Sequence, residues 1–117
     1  MISAFQSALS GLQAFGTKLH SNANNIANSS TEKFNRTRVL LGTDQSQRVD
    51  AQVEKVLTPG TEMYTQTSKG DELVELSNVD LAHELTEMNL NKTLYKANLK
   101  TIQVTDDMLG SLLKLKA

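Results

Sequence analysis

The last third of the chain, from Ser77 to Leu115, constrains the fold most, because its apolar residues recur with the three-and-four spacing of a coiled coil. They are Leu81, Leu85, Met88, Tyr95, Leu99, Ile102, Leu109 and Leu113, and the polar Lys92 and Asp106 occupy two further positions of the same stripe. This spacing predicts one long amphipathic helix, from roughly residue 79 to residue 113, with an apolar seam that requires a partner. We expect Ser77 or Asn78 to cap its first turn and Asp80 to complete a capping box.

A second stripe with the same spacing runs from Ile2 to Ile26. Its apolar members are Ile2, Phe5, Leu9, Leu12, Leu19 and Ile26, and Gly16 and Ala23 fill the remaining positions. The stripe predicts a helix that ends near Asn28, because Asn tolerates the left-handed conformation and bonds to local backbone. Through Thr31 the only charged side chain is Lys18. Such charge depletion is typical of the core of a protein interface, so we expect this face to meet other subunits; the alternative is a partly frayed, Ser- and Asn-rich terminus.

The middle of the chain changes to a period of two, which predicts strands. The alternating apolar residues are Val39 and Leu41 in one segment and Val49, Ala51 and Val53 in the next. Polar residues 42–47 are the predicted link, and turns are predicted at Pro59-Gly60 and around Gly70. A segment of about forty residues cannot bury enough surface to fold alone without disulfides or metal, so it must lean on the helices or on neighbours.

The fold predicted from these patterns is mainly α with a small β insert. Long N- and C-terminal helices, each with a coiled-coil-like stripe, flank a short β-hairpin region. We expect residues 1–31 to form an N-terminal axial helix, residues 32–76 a small β-rich insert, and residues 77–117 a C-terminal axial helix. Helices of these lengths, about 40 and 50 Å, overhang any compact globule that the chain could form, which favours an elongated subunit of an assembly.

Composition argues against several classes of partner. The net charge is -1 and basic residues are not clustered, so a nucleic acid partner is not expected. The longest aliphatic run is Val39-Leu40-Leu41, far short of the ~20 residues of a membrane span, so we expect no membrane insertion. The chain contains no cysteine, which excludes disulfides, thiolate metal sites and thiol catalysis. Its N-terminus lacks the basic and apolar regions of a secretory signal peptide.

One cluster on the C-terminal helix has suggestive chemistry, namely Asp80, His83, Glu84 and Glu87. A carboxylate-bridged metal site needs matching carboxylates from a facing helix, and the N-terminal helix has none. The cluster is therefore interpreted as a solvated face that complements the helix dipole. His20 has no cysteine and no suitably spaced Ser and Asp residues with which it could act as a catalytic base. It is therefore interpreted as an interface or surface residue. We expect no catalytic, cofactor-binding or metal-ligating residues, no cofactor and no enzymatic activity.

Two motifs resemble signatures of a known family. Ala23-Asn24-Asn25-Ile26-Ala27-Asn28, followed by Thr31 and Phe34, resembles the N-terminal signature of bacterial flagellar axial proteins, those of the rod, hook and hook-filament junction. The C-terminal stretch resembles the matching signature through residues 77–81, Glu84, Met88, Tyr95, Ala97-Asn98, Thr105-Asp106, Met108-Leu109 and Leu112-Leu113. In length and in its short insert the chain is most similar to small proximal-rod members, as a divergent, short example.

The resemblance implies a structural subunit of the basal-body rod, in the periplasm, that contributes to flagellum-dependent motility. It implies terminal helices that pair antiparallel, pack with neighbours into a tube, and are often disordered before assembly. Its implied partners are copies of itself and other rod and hook proteins, in a homo- or hetero-oligomer. The flagellar export apparatus would deliver it without a cleaved signal peptide. Two positions depart from the family pattern: Lys33 stands where Gly is usual, and Lys92-Thr93-Leu94 where Gln-Arg is usual.

The stripes and motifs together predict an assembly interface. Its members are Ile2, Phe5, Leu9, Leu12, Leu19, Asn24, Asn25, Ile26, Asn28, Leu81, Leu85, Met88, Tyr95, Asn98, Leu99, Ile102, Leu109 and Leu113. The C-terminal stripe is expected to pair with the N-terminal stripe of the same chain, with Lys92 and Asp106 setting the register. The alternative is a helical adaptor or secretion-associated chaperone with the same hairpin architecture, which predicts a dilute helical dimer with protease-resistant ends.

Overall fold

The computed structural model describes residues 2–43, 45 and 48–116. In these residues the elements are, in chain order, α1 (Ile2–Ala27), β1 (Thr37–Thr43), β2 (Val49–Lys55), β3 (Glu62–Thr67), β4 (Gly70–Glu75) and α2 (Leu81–Lys116). The predicted fold class, mainly α with a small β insert, is confirmed.

The molecule is elongated, as the helix lengths predict. Its principal extents are 80 × 25 × 18 Å and its radius of gyration is 20.7 Å, whereas a compact domain of 100 residues has a radius of about 13 Å. The helices pack antiparallel, with Asn25 of α1 beside Glu84 of α2 and Gly11 against Asn98. Counting back along α1 places Ile2 opposite about residue 107, so the last turns of α2 extend beyond α1.

The first hairpin lies along α1. Strands β1 and β2 pair antiparallel, from Thr37 opposite Lys55 to Thr43 opposite Val49. At one end the Ser21 hydroxyl bonds to the Thr37 hydroxyl at 2.7 Å, and at the other the Val49 N–H donates to Ser10 Oγ at 3.1 Å. Helix α1 is therefore flanked by α2 and by this hairpin.

The second hairpin stands apart from the helices. Strands β3 and β4 pair antiparallel, from Glu62 opposite Glu75 to Thr67 opposite Gly70, and neither strand packs against α1, α2 or the first hairpin. Its base is held by the Leu76 N–H, which donates to the Thr61 carbonyl at 2.9 Å. A lone two-stranded hairpin is marginally stable in water, so this base is important for its order.

The helix ends only partly follow the sequence prediction. Helix α1 ends at Ala27, within a residue of the predicted stop. Helix α2 is capped by Asp80, whose Oδ1 accepts the N–H groups of Ala82 and His83 at 3.0 and 3.2 Å. The predicted caps, Ser77 and Asn78, are therefore wrong, because the first orphan N–H groups lie nearer to Asp80.

Asn78 instead ties the insert to the start of α2. Its Oδ1 accepts the Arg36 N–H at 2.7 Å, and its Nδ2 donates to the carbonyls of Val56 and Thr58 at 2.9 and 2.7 Å. The Asn78 side chain thus forms hydrogen bonds with backbone groups of three residues of the insert.

The interior of the fold is small and largely polar. Among the described residues the buried apolar side chains are Ala8 and Ala14, and they are accompanied by buried Ser10, Ser21, Asn22, Asn25, Glu84, Asn91 and Thr105. No described helix has the length and hydropathy needed to cross a membrane.

Candidate assembly interface

The contact between α1 and α2 is made by small and polar residues. On α1 the buried positions include Ala8, Gly11, Ala14, Asn22 and Asn25. A Cβ atom on Gly11 would lie 2.6 Å from Asn98 Oδ1, so the helices approach closely there. We call this face of each helix its inner face.

Glu84 is the centre of the inner contact, and its side chain is only 3% exposed. Its Oε2 accepts Asn22 Nδ2 at 2.6 Å and its Oε1 accepts Asn25 Nδ2 at 3.1 Å. The guanidinium of Arg36 lies 3.8 Å from Oε1. The interpretation of Glu84 as part of a solvated face is therefore wrong: two amides and a cation replace water around the carboxylate, which is what makes its burial tolerable.

Asn25 links Glu84 to the first hairpin and is fully buried, at 0% exposure. Its Nδ2 donates to the Thr37 carbonyl at 2.7 Å and its Oδ1 accepts the Thr37 N–H at 2.8 Å. Asn91 Nδ2 completes the set by donating to Asn22 Oδ1 at 2.9 Å. We call Asn22, Asn25, Arg36, Thr37, Glu84 and Asn91 the polar junction. No buried side-chain nitrogen or oxygen in the described residues lacks a partner.

The other members of the acidic cluster do not join Glu84 around a common point. Glu87 is paired with Lys18 of α1 at 3.9 Å, and Asp80 serves as the helix cap. The described part of the chain contains no group of three or more His, Cys, Asp or Glu side chains arranged to hold a metal ion.

The predicted stripe of α1 lies beside its inner face and is turned away from it. Ile2 is 72% exposed, Phe5 and Leu9 are also exposed, and no member of the stripe is buried. The buried Ala8, Gly11, Asn22 and Asn25 directly precede the stripe positions Leu9, Leu12, Ala23 and Ile26. One residue is a rotation of about 100° on a helix, so the stripe is turned outward.

Helix α2 shows the same offset. The inner positions Glu84, Asn91, Asn98 and Thr105 directly precede the stripe positions Leu85, Lys92, Leu99 and Asp106. Leu85 is 51% exposed and Leu113 is 71% exposed. Met88, Tyr95 and Ile102 are half-buried and border both faces.

The expectation that the helices pair through their apolar stripes is only partly met. The helices do pair with each other, but the centre of their contact lies on the neighbouring small and polar positions, and the stripes meet at its border, where a Cβ on Gly16 would lie 3.7 Å from the Tyr95 ring. Lys92 and Asp106 are exposed and so do not set the register. Asn25 is enclosed within its own chain rather than available to another subunit, because Thr37 and Glu84 surround its amide. Asn98 is likewise half-buried at the inner contact.

The remaining predicted interface residues stay at or near the surface. Asn24 is exposed, and Asn28 is half-buried and donates to the Asn24 carbonyl at 2.9 Å. Leu12, Leu19 and Ile26 are half-buried, and Leu81, Leu99 and Leu109 are exposed. Whether these residues contact another subunit stays a prediction.

A second exposed stripe on α2 is missing from the sequence prediction. It comprises Leu90, Leu94, Ala97, Val104, Met108, Leu112 and Leu115, of which all but the half-buried Leu94 are exposed. These residues also follow three-and-four spacing, and this spacing is the sequence signal from which the second stripe could have been predicted. Leu90 lies roughly 140° around the helix from Leu85. Helix α2 therefore presents an apolar flank on each side of its inner face.

Comparison with known proteins gives one family match. Residues 72–115 match the family described as flagellar basal body rod FlgEFG protein C-terminal, a range that starts in β4 and covers nearly all of α2. No curated protein matches the chain significantly. The C-terminal part of the predicted resemblance to flagellar rod proteins is therefore confirmed, whereas the N-terminal motif lies outside the matched residues.

Proposed function

We propose that this protein is a structural subunit of the flagellar basal-body rod that assembles through the outward stripes of α1 and α2 and so contributes to flagellum-dependent motility. Its partners in this proposal are copies of itself and other rod and hook proteins. The observation that carries the proposal is that the buried positions of both helices are mostly small or polar, whereas no apolar residue of either stripe is buried.

Exposed apolar stripes of this length are a cost to an isolated subunit. Monomeric proteins rarely display contiguous apolar surface on this scale, and larger patches mark interaction sites. Helix α1 adds the composition expected of an interface core, because its one charged side chain, Lys18, is already paired with Glu87. The chain therefore has surface suited to burial against other helices.

The two flanks of α2 support growth beyond a dimer. A helix with one apolar flank needs one partner to bury that flank. Helix α2 has two flanks, around Leu85 and Leu90, and each can be buried by a different neighbour. Contacts between different surfaces of successive subunits generate rings or helical filaments. A rod built of axial helices requires this kind of contact.

The resemblance supports the remaining parts of the proposal. They are delivery by the flagellar export apparatus without cleavage, and residence in the periplasmic part of the rod. The proposed units are an axial helix in residues 1–31, a β-rich insert in residues 32–76 and an axial helix in residues 77–117, and the axial helices do the assembling.

The test places a charge on each outward stripe. Leu85→Asp and Leu9→Asp should leave the helix content unchanged, because both side chains are exposed. In a strain lacking the native copy, both variants should be absent from purified basal bodies and should fail to restore swimming. The matched controls, Asn89→Asp and Gln13→Asp, place the same charge at exposed polar positions outside the stripes and should assemble.

Two results would contradict the proposal. One is incorporation of Leu85→Asp at the wild-type level. The other is a deletion strain that still builds complete, rotating flagella, which would remove an essential role in the rod. A purified chain that forms a stable dimer with protease-resistant ends would instead favour the helical adaptor or chaperone.

A further inference from the structure

The polar junction differs in chemistry from the rest of the inner contact. Elsewhere α1 offers Ala8, Gly11 and Ala14 to α2, and such small residues fit a facing helix in several alignments. At the junction the partners are directional: two amides of α1 point at one carboxylate of α2. Hydrogen bonds to a charged group depend steeply on geometry, so this contact distinguishes one alignment from another.

Sliding the helices by one heptad shows how strong the discrimination is. If Glu84 moved one heptad along α1, toward its N-terminus, it would face Phe15 and Lys18 in place of Asn22 and Asn25. It would also leave Arg36, which belongs to the insert and cannot follow. Lys18 would supply a cation there, but the carboxylate would lose both amide hydrogen bonds and Arg36, which disfavours its burial.

The junction also joins three parts of the chain at once. Asn22 and Asn25 belong to α1, Arg36 and Thr37 to the start of the insert, and Glu84 to α2. The α1 amides lie 62 and 59 residues before Glu84 in sequence. Correct pairing of the two ends and docking of the first hairpin are therefore a single event.

We propose that the polar junction is the register-determining site of the helix pair, in which Asn22, Asn25 and Arg36 recognise the Glu84 carboxylate and select one antiparallel alignment. Its contribution is to specificity more than to stability, since apolar residues of similar volume often replace a buried ionic group without loss. Single buried polar residues fix register in coiled coils in the same way. The consequence for assembly rests on the proposed function: a one-heptad slip would move the outward stripe of α2 about 10 Å along that of α1 and so change the surface that a neighbour meets.

The test uses engineered disulfides, because the chain has no cysteine of its own. Gly11→Cys with Asn98→Cys reports the native register, in which these residues touch. Ala4→Cys with Asn98→Cys reports the slip in which Glu84 moves one heptad toward the N-terminus of α1, since in the native register Ala4 lies about 10 Å along α1 from Gly11, which places it beyond disulfide reach of residue 98. Both pairs are oxidised in the dilute full-length chain, and monomeric cross-linked product is quantified.

With the junction intact, the native pair should cross-link at least about tenfold more than the slipped pair. In the background Asn22→Leu, Asn25→Leu and Glu84→Leu, helix content should persist while the two yields become comparable. If that background keeps the native-only pattern, packing of the small residues sets the register and the proposal is wrong. Equal yields with the junction intact would also overturn it.

A milder pair of variants covers the case in which the apolar background does not fold. Glu84→Gln removes the charge that the amides and Arg36 recognise, and should raise the share of slipped cross-link severalfold. Glu87→Gln removes the same charge one turn away, at a half-buried position paired with Lys18, and should leave it unchanged. Equal shares in these two variants would contradict the proposal. These measurements need only the isolated chain, so their failure is distinct from a failure to incorporate into the rod.

Discussion

Replacing Asn25 with alanine is the sharpest test of the inner contact. The change removes the acceptor of the Thr37 N–H and donors to the Thr37 carbonyl and the Glu84 carboxylate. The Thr37 carbonyl keeps a bond from Ser21 at 3.3 Å, so the main losses are at the Thr37 N–H and at Glu84. Each group deprived of a buried partner costs about 1–3 kcal/mol. Alanine's better helix propensity returns about 0.5 kcal/mol.

The expected net loss is therefore about 1.5–5.5 kcal/mol, a large part of the roughly 6–18 kcal/mol available to a chain of this length. Urea unfolding followed by circular dichroism at 222 nm measures it directly. With a slope near 2 kcal/mol per molar, a loss of 3 kcal/mol lowers the midpoint by roughly 1.5 M.

Asn24 supplies the matched control, because it is the adjacent asparagine and its side chain is exposed. Its Oδ1 accepts a bond from Asn28 at 3.2 Å, and Asn28 also donates to the Asn24 backbone carbonyl. Asn24→Ala should therefore change stability by no more than about 0.5 kcal/mol. If Asn25→Ala costs no more than Asn24→Ala, the polar junction does not hold the helices together as described.

Three further predictions use the same unfolding measurement. Lys33 has a φ of 55°, so Lys33→Gly should stabilise the fold by about 1 kcal/mol, whereas Lys33→Ala should give no gain. A Cβ on Gly60 would lie 1.9 Å from the Leu76 carbonyl oxygen, so Gly60→Ala should lower the free energy of unfolding by more than about 2 kcal/mol. The control is Gly42→Ala, because a Cβ on Gly42 meets open space. A loss for Gly60→Ala no larger than that for Gly42→Ala would refute this prediction. Asp80→Ala should cost about 1 kcal/mol through loss of the cap, and Asp80→Asn should retain most of it.

The helices and their approximate ends were predictable because apolar periodicity and turn residues are local signals. The left-handed residue at Lys33 was visible indirectly, since the family pattern has Gly at that place and Gly adopts this conformation without steric cost. The first hairpin followed from the period of two and from its polar link, although Leu41 and Val53 are more exposed than alternation alone predicts. For the second hairpin the sequence predicted the turn around Gly70 but not the two strands.

The choice of inner face was not predictable from hydropathy. Periodicity shows that a helix has an apolar stripe, but it does not show whether that stripe meets the same chain or another one. Gly11 and Asn25 carry no apolar signal, and they gain their role from close approach and from hydrogen bonds that form only in three dimensions. The burial of Glu84 depends on Arg36, whose position beside α2 is fixed by the Asn78 link.

The β3–β4 hairpin gives the chain a place to change length. The backbone bonds that position it lie at its base, at Thr61 and Leu76 and between Lys33 and Glu75, while the turn at Ser68 and Lys69 is exposed. Lengthening a loop costs little, because closure entropy grows only with the logarithm of its length. Extra residues, a fluorescent label or an affinity tag inserted at this turn should therefore leave α1, α2 and their contact unchanged.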